Sequence, residues 1–300
     1  MQTQQPHAVR KAKPAPLIPY LRSLFGYREL LVNLIRRELK VRYKNSSLGF
    51  LWSMLNPLLY LVIFSVVIGI FLGRGVPWFH FFLLSGLLAW NLLSAGLMGA
   101  TGSIIGNASL VTKIYFPREI LPLSAIGAAL FNFVLQMGVL MAAMAVTTYV
   151  RFWNQGMLLL LFALLVEVIF LVGLSFIVAS LNVFFRDVQY LLELILLAWF
   201  WMTPIVYGIA TIQPRLQKIP VLWTIYLLNP MTAISMGFQR ALYSQVSPKA
   251  AGGQAVSVLI DKPIGWYFLR LGYVGAASLV LLMIGWSVFR KLQSRLAEEL

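Results

Sequence analysis

The 300-residue chain contains no cysteine and few charged residues, only 11% of the total. Without cysteine, disulfides, thiol nucleophiles and cysteine-ligated metals are excluded. A soluble domain carries about 25% charged residues, so a deficit of this size leaves too little polar surface to face water. The sequence therefore predicts a membrane protein.

The motifs of common enzymes are also missing. No G-x-x-x-x-G-K-[ST] run is present, so the chain has no P-loop with which to hold the phosphates of ATP. No H-E-x-x-H run occurs, and the two histidines, His7 and His80, lie far apart, as do Asp187 and Asp261. With no carboxylate pair and no cluster of metal ligands, we expect neither a cofactor nor a catalytic site in this chain. A membrane-embedded transferase or a scaffold is kept as an alternative.

Hydrophobic residues make up 60% of the chain, and the mean hydropathy is +0.83. Because a membrane helix needs about 20 apolar residues, a chain of this length suits about six spans. Residues 1–26 are polar and basic, without the apolar core of a cleavable signal peptide. We expect them to form a flexible cytoplasmic tail. An all-α fold is predicted, with spans at about 48–72, 78–100, 120–150, 157–181, 188–209 and 267–288.

A basic amphipathic segment, residues 27–45, precedes the first span. At 100° per residue its apolar and polar side chains separate onto two sides. The apolar side comprises Leu30, Leu31, Leu34, Ile35 and Val41. The polar side comprises Asn33, Arg36, Arg37, Lys40 and Lys44. The pattern predicts a helix in the plane of the membrane surface, with its apolar side in the bilayer or against the bundle.

The distribution of Lys and Arg predicts the orientation of the chain. Ten of these residues precede span one, whereas the first two external turns hold one each, Arg74 and Arg151. Cytoplasmic loops carry an excess of Lys and Arg, so both termini are predicted on the cytoplasmic side. Orientation and contact with anionic lipids account for the net charge of +15, and no nucleic-acid partner is expected.

Residues 213–245 lie in the external segment before span six. Residues 221–243 are apolar enough for a seventh span, but Asn229 and Pro230 cut them in half. A seventh span would also place Arg290, Lys291 and Arg295 outside. Two short re-entrant helices packed against protein are therefore predicted, with a spanning segment left open as the alternative.

Two carboxylates lie within predicted spans, where an ionised side chain is costly. Glu167, near the middle of span four, either faces a conduit or dimer interface or is a hydrogen-bonded group that holds helices together. For Glu193, a pair with a basic loop residue is the simpler interpretation. Arg186 and Asp187 form either an ordinary interfacial turn or an element that stabilises a cytoplasmic gate or contacts a partner.

Aromatic residues gather near the external end of span five, among them Trp199, Trp201 and Tyr207. They form either an aromatic belt at the membrane interface or a surface on which sugar rings stack.

Within span one, Asn56 and Pro57 predict a kink, because proline removes a backbone donor and clashes with the preceding turn. A kinked span is a candidate gate.

The loop after span two carries a helix signal of its own. Asn107 is placed to cap a short helix over residues 108–115, which Pro117 ends.

Seven stretches of the chain, taken in order, form a recognisable set: RELKVRYK (37–44), SLGFLW (47–52), LNP (55–57), LVTKIYFPREILP (110–122), FRD (185–187), TPI (203–205) and LNP (228–230). This ordered set resembles the membrane subunit of ABC-2-type polysaccharide exporters, which move O-antigen, teichoic acid or related glycans.

The resemblance implies a homodimer of permeases in the plasma (inner) membrane, joined by two copies of a separate ATPase subunit that binds ATP and Mg²⁺. The substrate would be a polyprenyl-diphosphate-linked polysaccharide, carried from the cytoplasm to the outer face. Residues 107–117 would be the coupling helix that docks on the ATPase, and the helix over 27–45 would lie at the same interface. The residues that would couple to the ATPase are Asn107, Leu110, Lys113, Tyr115 and Arg118.

Two further sets of residues complete the predicted sites, the first implied by the resemblance and the second by the positions of its members in the predicted spans and turns. Those that would meet the diphosphate are Arg36, Arg37, Lys40, Arg42 and Lys44, with topology and lipid contact as their alternative role. Those assigned to a gate or conduit are Asn56, Pro57, Glu167, Arg186, Asp187, Glu193, Trp199, Trp201 and Tyr207. An ABC-2 permease for a drug or a small lipid is the alternative function.

Overall fold

A computed structural model describes residues 26–42, 44, 78–146, 155–243, 258–293, 295, 296 and 299, with isolated positions at 55, 58, 59, 62, 63 and 66. Within these segments every regular element is a helix, so the all-α prediction is confirmed for them. The helices are α1 (Arg28–Arg42), α2 (Phe79–Ser103), α3 (Ala108–Lys113), α4 (Ile120–Val146), α5 (Gln155–Phe184), α6 (Val188–Trp201), α7 (Ile209–Leu216), α8 (Pro220–Leu228), α9 (Pro230–Tyr243) and α10 (Ile264–Gln293).

Four of these helices are long and apolar enough to cross a membrane: α2, α4, α5 and α10. They coincide with the spans predicted at 78–100, 120–150, 157–181 and 267–288. The bent pair α8–α9 counts as a fifth if both helices belong to one span. Span one, with Asn56 and Pro57, lies outside the described residues except at isolated positions. The six-span count therefore stays a prediction.

The structure corrects the length of span five. The sequence predicts residues 188–209, whereas α6 has 14 residues and ends at Trp201. At 1.5 Å per residue this is about 21 Å, less than the bilayer core of about 30 Å. The helix stops because Pro204 disfavours a helical conformation at Thr203. The Thr203 hydroxyl donates to the Trp199 carbonyl (2.8 Å) and so satisfies one of the carbonyls at the end of the helix.

Helices α8 and α9 meet at an angle of 73°. Asn229 lies at the break in an extended conformation (φ −61°, ψ 116°), as expected for a residue before proline. Pro230 begins α9, where its missing N–H costs nothing. The Asn229 Oδ1 accepts a hydrogen bond from the Met231 amide (3.1 Å) and thereby caps α9. Two short helices divided at Asn229 and Pro230 are thus present, while their re-entrant course stays a prediction.

Helix α9 is enclosed by α2, α5 and α10, and residues 231–239 are all buried. Glycines permit these close contacts. A Cβ at Gly86 of α2 would lie 2.8 Å from Nε2 of Gln239, and one at Gly237 would lie 3.1 Å from the Ala163 side chain of α5. A short helix therefore forms the centre of the main apolar core.

A second apolar cluster, which we call the α3-end cluster, lies at the end of the bundle that carries α3. Its buried members come from α1, the end of α2, α3 and the loop after it, α4, α5, and the end of α10 and the residues after it. They are Leu34, Ile104, Val111, Phe116, Ile120, Leu121, Phe176, Ala179, Val183, Phe289 and Leu296. The cluster fixes α1 to the bundle, and the Ile35 side chain packs directly over Gly127 of α4.

Helix α1 corresponds to the amphipathic helix predicted over 27–45. Its packed side is narrower than its apolar side, because Leu34 is buried and Leu30, Leu31 and Ile35 are half-buried, whereas Val41 is exposed. Val41 therefore does not pack against the bundle, and the location of this part of the apolar side in the bilayer stays a prediction. Packing against α4 ends before the last turn of α1.

Helices α5 and α10 cross at glycines. A Cβ at Gly285 would collide with the carbonyl oxygen of Gly173, and one at Gly173 would lie 2.8 Å from the backbone nitrogen of Leu282. Small residues at a crossing let two backbones approach closely, which is a principal source of attraction between helices in lipid.

We predict that Gly285→Ala destabilises the bundle by about 1–3 kcal/mol, the usual cost of overpacking. On the same helix Gly272 faces open space, so Gly272→Ala is the matched control. Helix propensity should make that variant neutral or more stable by up to about 1 kcal/mol. Thermal unfolding of the purified proteins in detergent measures both, and equal midpoints would contradict the close crossing.

Candidate coupling surface and buried polar groups

The loop between α2 and α4 presents a small apolar projection at its tip. Helix α3 ends at Lys113, two residues before the predicted end, and Ile114 is extended (φ −128°, ψ 137°). Thr112 and Lys113 are exposed, as is Ile114, and Tyr115 is 98% exposed. Ile114 and Tyr115 thus form a small apolar surface at the tip of the loop, with Lys113 beside it.

This projection stands on a buried base. Val111 and Phe116 lie on either side of it and are both buried in the α3-end cluster. The loop is therefore held by the bundle rather than free, and a force applied at Tyr115 acts on packed side chains. Rigid attachment is what a mechanical contact between two subunits requires.

Asn107 does not cap α3 as the sequence predicts. The side chain makes no capping bond to the helix that follows, and Nδ2 instead donates to the Ser103 carbonyl (2.9 Å). The residue is buried. It satisfies an orphan carbonyl at the end of α2, so its role is to finish the preceding helix.

The other coupling candidates divide by exposure. Lys113 and Tyr115 are exposed, whereas Leu110 is half-buried against the α3-end cluster. Arg118 is also half-buried, and Nη1 donates to the backbone carbonyl of Gln293 at the end of α10. Burial lowers the pKa of Arg118, while the charge of Glu119 and the neighbouring Tyr115 oppose that shift. A guanidinium stays charged in proteins, so a cation is held at this position.

The five basic residues proposed to meet a diphosphate share one element and its C-terminal flank. Arg36, Arg37, Lys40, Arg42 and Lys44 are all exposed. Because Leu34 of α1 belongs to the α3-end cluster, their helix lies at the same end of the bundle as α3. Like charges gathered on one surface raise the local potential and attract anions.

The turn that carries Arg186 and Asp187 lies at this end too, because Val183 belongs to the α3-end cluster. Both charged residues are exposed. The turn is tight, with the Val188 amide donating to the Phe185 carbonyl (3.0 Å). Just before it, Nδ2 of Asn182 donates to the Thr101 carbonyl of α2 (2.9 Å).

Glu193 lies on the outer side of α6. It is exposed, as are its neighbours Leu194 and Ile195, while Leu192 and Leu196 are buried. Among the residues that the structure describes, no basic side chain forms an ion pair with Glu193, so the predicted pair with a loop residue is absent there. The Glu193 carboxyl group therefore lies among exposed apolar side chains on the outer side of α6.

Glu167 is completely buried in α5, and both carboxyl oxygens lack a hydrogen-bond partner within the described part of the chain. Burying a polar group without a partner is costly. The interpretation of Glu167 as a hydrogen-bonded link between helices therefore gains no support from these segments.

Three further buried polar side chains with an unpartnered oxygen line one side of α9: Thr232, Ser235 and Gln239.

The aromatic residues near the end of α6 have distinct environments. Nε1 of Trp199 donates to Oδ1 of Asn229 (2.8 Å), and its ring contacts Trp90 and Phe170. Tyr207 donates to the Trp201 carbonyl (2.9 Å). Trp201 itself is 60% exposed. Trp199 is thus a packing residue, and Trp201 is the one with a free face.

Two residues with central positions were not among the predicted site residues, although Asn229 was predicted to lie at the break between two helices. Asn229 joins the break in α8–α9 to the end of α6, because its Nδ2 also lies 3.4 Å from the Thr203 hydroxyl. Gln239 donates to the Pro204 carbonyl (2.8 Å). The LNP stretch at 228–230 and the TPI stretch at 203–205 are therefore joined by a side-chain hydrogen bond. The Asn-Pro signal inside an apolar segment predicted the break at Asn229 but not the contact of its side chain with the end of α6.

Residues 29–243 match the ABC-2 type transporter family, and within the described segments four helices, or five if the bent pair α8–α9 is one span, are long and apolar enough to cross a membrane. The chain belongs to this family of membrane permeases and is a multi-pass protein of the inner membrane. As a permease it is not itself an enzyme.

Individual relatives resemble the chain along nearly its full length. The O-antigen export system permease protein RfbA of Myxococcus xanthus is 32% identical over 95% of this chain and 100% of the relative. A protein of the same name from Klebsiella pneumoniae is 28% identical over 90% of this chain and 94% of the relative. The polysialic acid transport protein KpsM of Escherichia coli is 25% identical over 90% of this chain and 96% of the relative.

We predict that Trp199→Phe lowers stability by about 1 kcal/mol, the usual worth of one hydrogen bond. Asn229→Ala should cost more, because it removes the acceptor for both Trp199 and the Met231 amide. Trp201→Phe, two residues away and exposed, is the control and should be neutral. In a double-mutant cycle, Trp199→Phe should add little to Asn229→Ala. Additive losses in thermal unfolding would contradict the shared bond.

Proposed function

We propose that this chain is the membrane-spanning subunit of an ATP-driven exporter that carries a polyprenyl-diphosphate-linked polysaccharide from the cytoplasm to the outer face of the membrane. The observation that carries the proposal is the exposed projection at Lys113–Tyr115, attached to a buried base. Similarity to proteins named for O-antigen export and polysialic acid transport supports the glycan substrate. No observation favours a drug or a small lipid.

The energy source in this proposal is a separate subunit. The chain has no P-loop, so two ATPase subunits would bind ATP and Mg²⁺ and dock on a homodimer of permeases. Ile114 and Tyr115 offer an apolar contact, and Lys113 adds a positive charge beside it. An aromatic side chain that enters a pocket on a partner is a common source of binding energy.

The exposed basic residues of α1 are suited to bind the diphosphate group of the substrate. A diphosphate carries negative charge and accepts hydrogen bonds from Lys and Arg, and Arg can bind phosphate with two parallel bonds. Both termini would then lie in the cytoplasm, where the lipid-linked glycan is made available. A gate would form around the kink at Asn56 and Pro57, the turn at Arg186 and Asp187, and α6 with Glu193 and Trp201.

We predict that Tyr115→Ala weakens binding of the ATPase by at least about tenfold, as for a central aromatic contact. The measurement is co-purification of the tagged permease with the Walker-motif ATPase of the same cell, followed by titration in nanodiscs. Tyr190→Ala is the control, because Tyr190 is 69% exposed on α6 and outside the projection. A wild-type chain that retains no ATPase would overturn the proposed function.

A second prediction concerns the basic face of α1. Replacing Arg37, Lys40 and Arg42 together with Gln should impair export while membrane insertion and ATPase assembly persist, because all three side chains are exposed and support no packing. Replacing Arg10, Lys11 and Lys13 is the charge-matched control. Surface glycan is measured by immunoblot, and a normal amount in the α1 variant would exclude the diphosphate role.

A further inference from the structure

We propose that Arg118 is a positioning residue that fixes the coupling segment to the C-terminal end of α10, so that movement at Tyr115 reaches α10. The inference deepens the proposed function and rests on it. It also changes the role of Arg118 from an ATPase contact to a joint inside the permease.

The first observation is the hydrogen bonding at the end of α10. The last carbonyls of a helix have no partner within the helix. The Leu292 carbonyl accepts from the amides of Arg295 (2.9 Å) and Leu296 (3.2 Å). The Gln293 carbonyl accepts from the Arg118 guanidinium. A side chain 175 residues away in the sequence thus completes this helix end, and a cation there is favoured by the helix dipole.

The second observation is the position of Arg118 in its own segment. It follows Phe116 and Pro117, which lie directly after the exposed Tyr115. Phe116 is buried in the α3-end cluster together with Phe289 of α10 and Leu296 beyond it. Apolar packing and one charge-assisted hydrogen bond therefore join the same two elements. A displacement of Tyr115 cannot leave the end of α10 unaffected unless both contacts break.

The third observation is a buried carboxyl group next to this joint in the sequence. Glu119 is completely buried, and neither carboxyl oxygen has a hydrogen-bond partner among the described residues. Glu119 raises the pKa of Arg118 and so opposes the effect of burial, which favours a charged guanidinium at the joint.

Helix α10 in turn contacts α5 inside the bundle. Gly285, two turns before Gln293, crosses Gly173 of α5 at backbone contact. Backbones in contact at a crossing have little room to slide without moving together. The route from the coupling surface to α5 thus runs through Arg118, the end of α10 and this glycine crossing.

The test separates positioning from direct contact with the ATPase. We compare Arg118→Ala and Arg118→Lys in the permease–ATPase complex in nanodiscs, and follow surface glycan and ATP turnover in cells and membranes. If Arg118 positions the loop, Arg118→Ala keeps the ATPase affinity within about twofold but lowers export per ATP by at least about fivefold. Arg118→Lys should recover part of the loss, because its ammonium group can still donate to the carbonyl.

A distance measurement on the permease itself supplies a readout that does not need the ATPase. The chain has no cysteine, so spin labels at Lys113→Cys and Lys291→Cys, both exposed, report only on these sites. Electron–electron resonance should give a narrow distance distribution, which Arg118→Ala broadens and Arg118→Lys narrows again.

Several results would overturn the inference. One is a loss of ATPase affinity by tenfold or more with an unchanged distance distribution, since Arg118 would then contact the ATPase directly. Another is an Arg118→Ala variant that exports as well as the wild type and gives the same distance distribution. If the wild-type chain binds no ATPase, the proposed function fails, while the spin-label distances still decide whether Arg118 holds the joint.

Discussion

The constraint on which the structure depends is that backbone polar groups inside a bilayer need partners within the protein. In the described part of the bundle the chain is interrupted after Trp201 and at Asn229, and each interruption leaves amide and carbonyl groups without a helical partner. Asn229 serves both interruptions, since it caps α9 and binds the indole of Trp199. Gln239 binds the Pro204 carbonyl. A short helix α9 can lie at the centre of the core only because these side chains take the place of helical hydrogen bonds.

The opposite end of the molecule is organised by apolar packing. The α3-end cluster joins α1, α3, α4, α5 and α10, although several of these elements are far apart in the sequence. Polar side chains complete helix ends around it: Asn107 for α2, Arg118 for α10, and Asn182 for a carbonyl of α2. The surface above this cluster carries the exposed basic residues of α1 and the projection at Tyr115. A packed base beneath exposed contact residues is the arrangement expected where force passes between subunits.

Much of this arrangement was predictable from local sequence. The apolar length of α2, α4, α5 and α10 fixes them as membrane helices, and Asn229 with Pro230 predicts the break in α8–α9. The end of α6 was missed because the run of Trp199, Phe200 and Trp201 remains apolar up to Ile209, although Pro204 could have indicated it. The roles of Asn107, Arg118 and Asn229 were not predictable, since their partners depend on how helices assemble. Gln293, for example, lies 175 residues from Arg118.

Helix α10 connects the polar contacts around α9 with the apolar packing of the α3-end cluster. At its beginning, the Tyr267 hydroxyl donates to the Ile260 carbonyl (2.7 Å), and the Arg240 guanidinium of α9 lies over the Tyr267 ring (5.7 Å). At its end, Phe289 packs in the α3-end cluster and Gln293 receives Arg118. Between these points Gly285 contacts α5. A single helix thus contacts both the central helix α9 and the elements at the end of the bundle that carries α3. Both groups of contacts therefore depend on the position of α10.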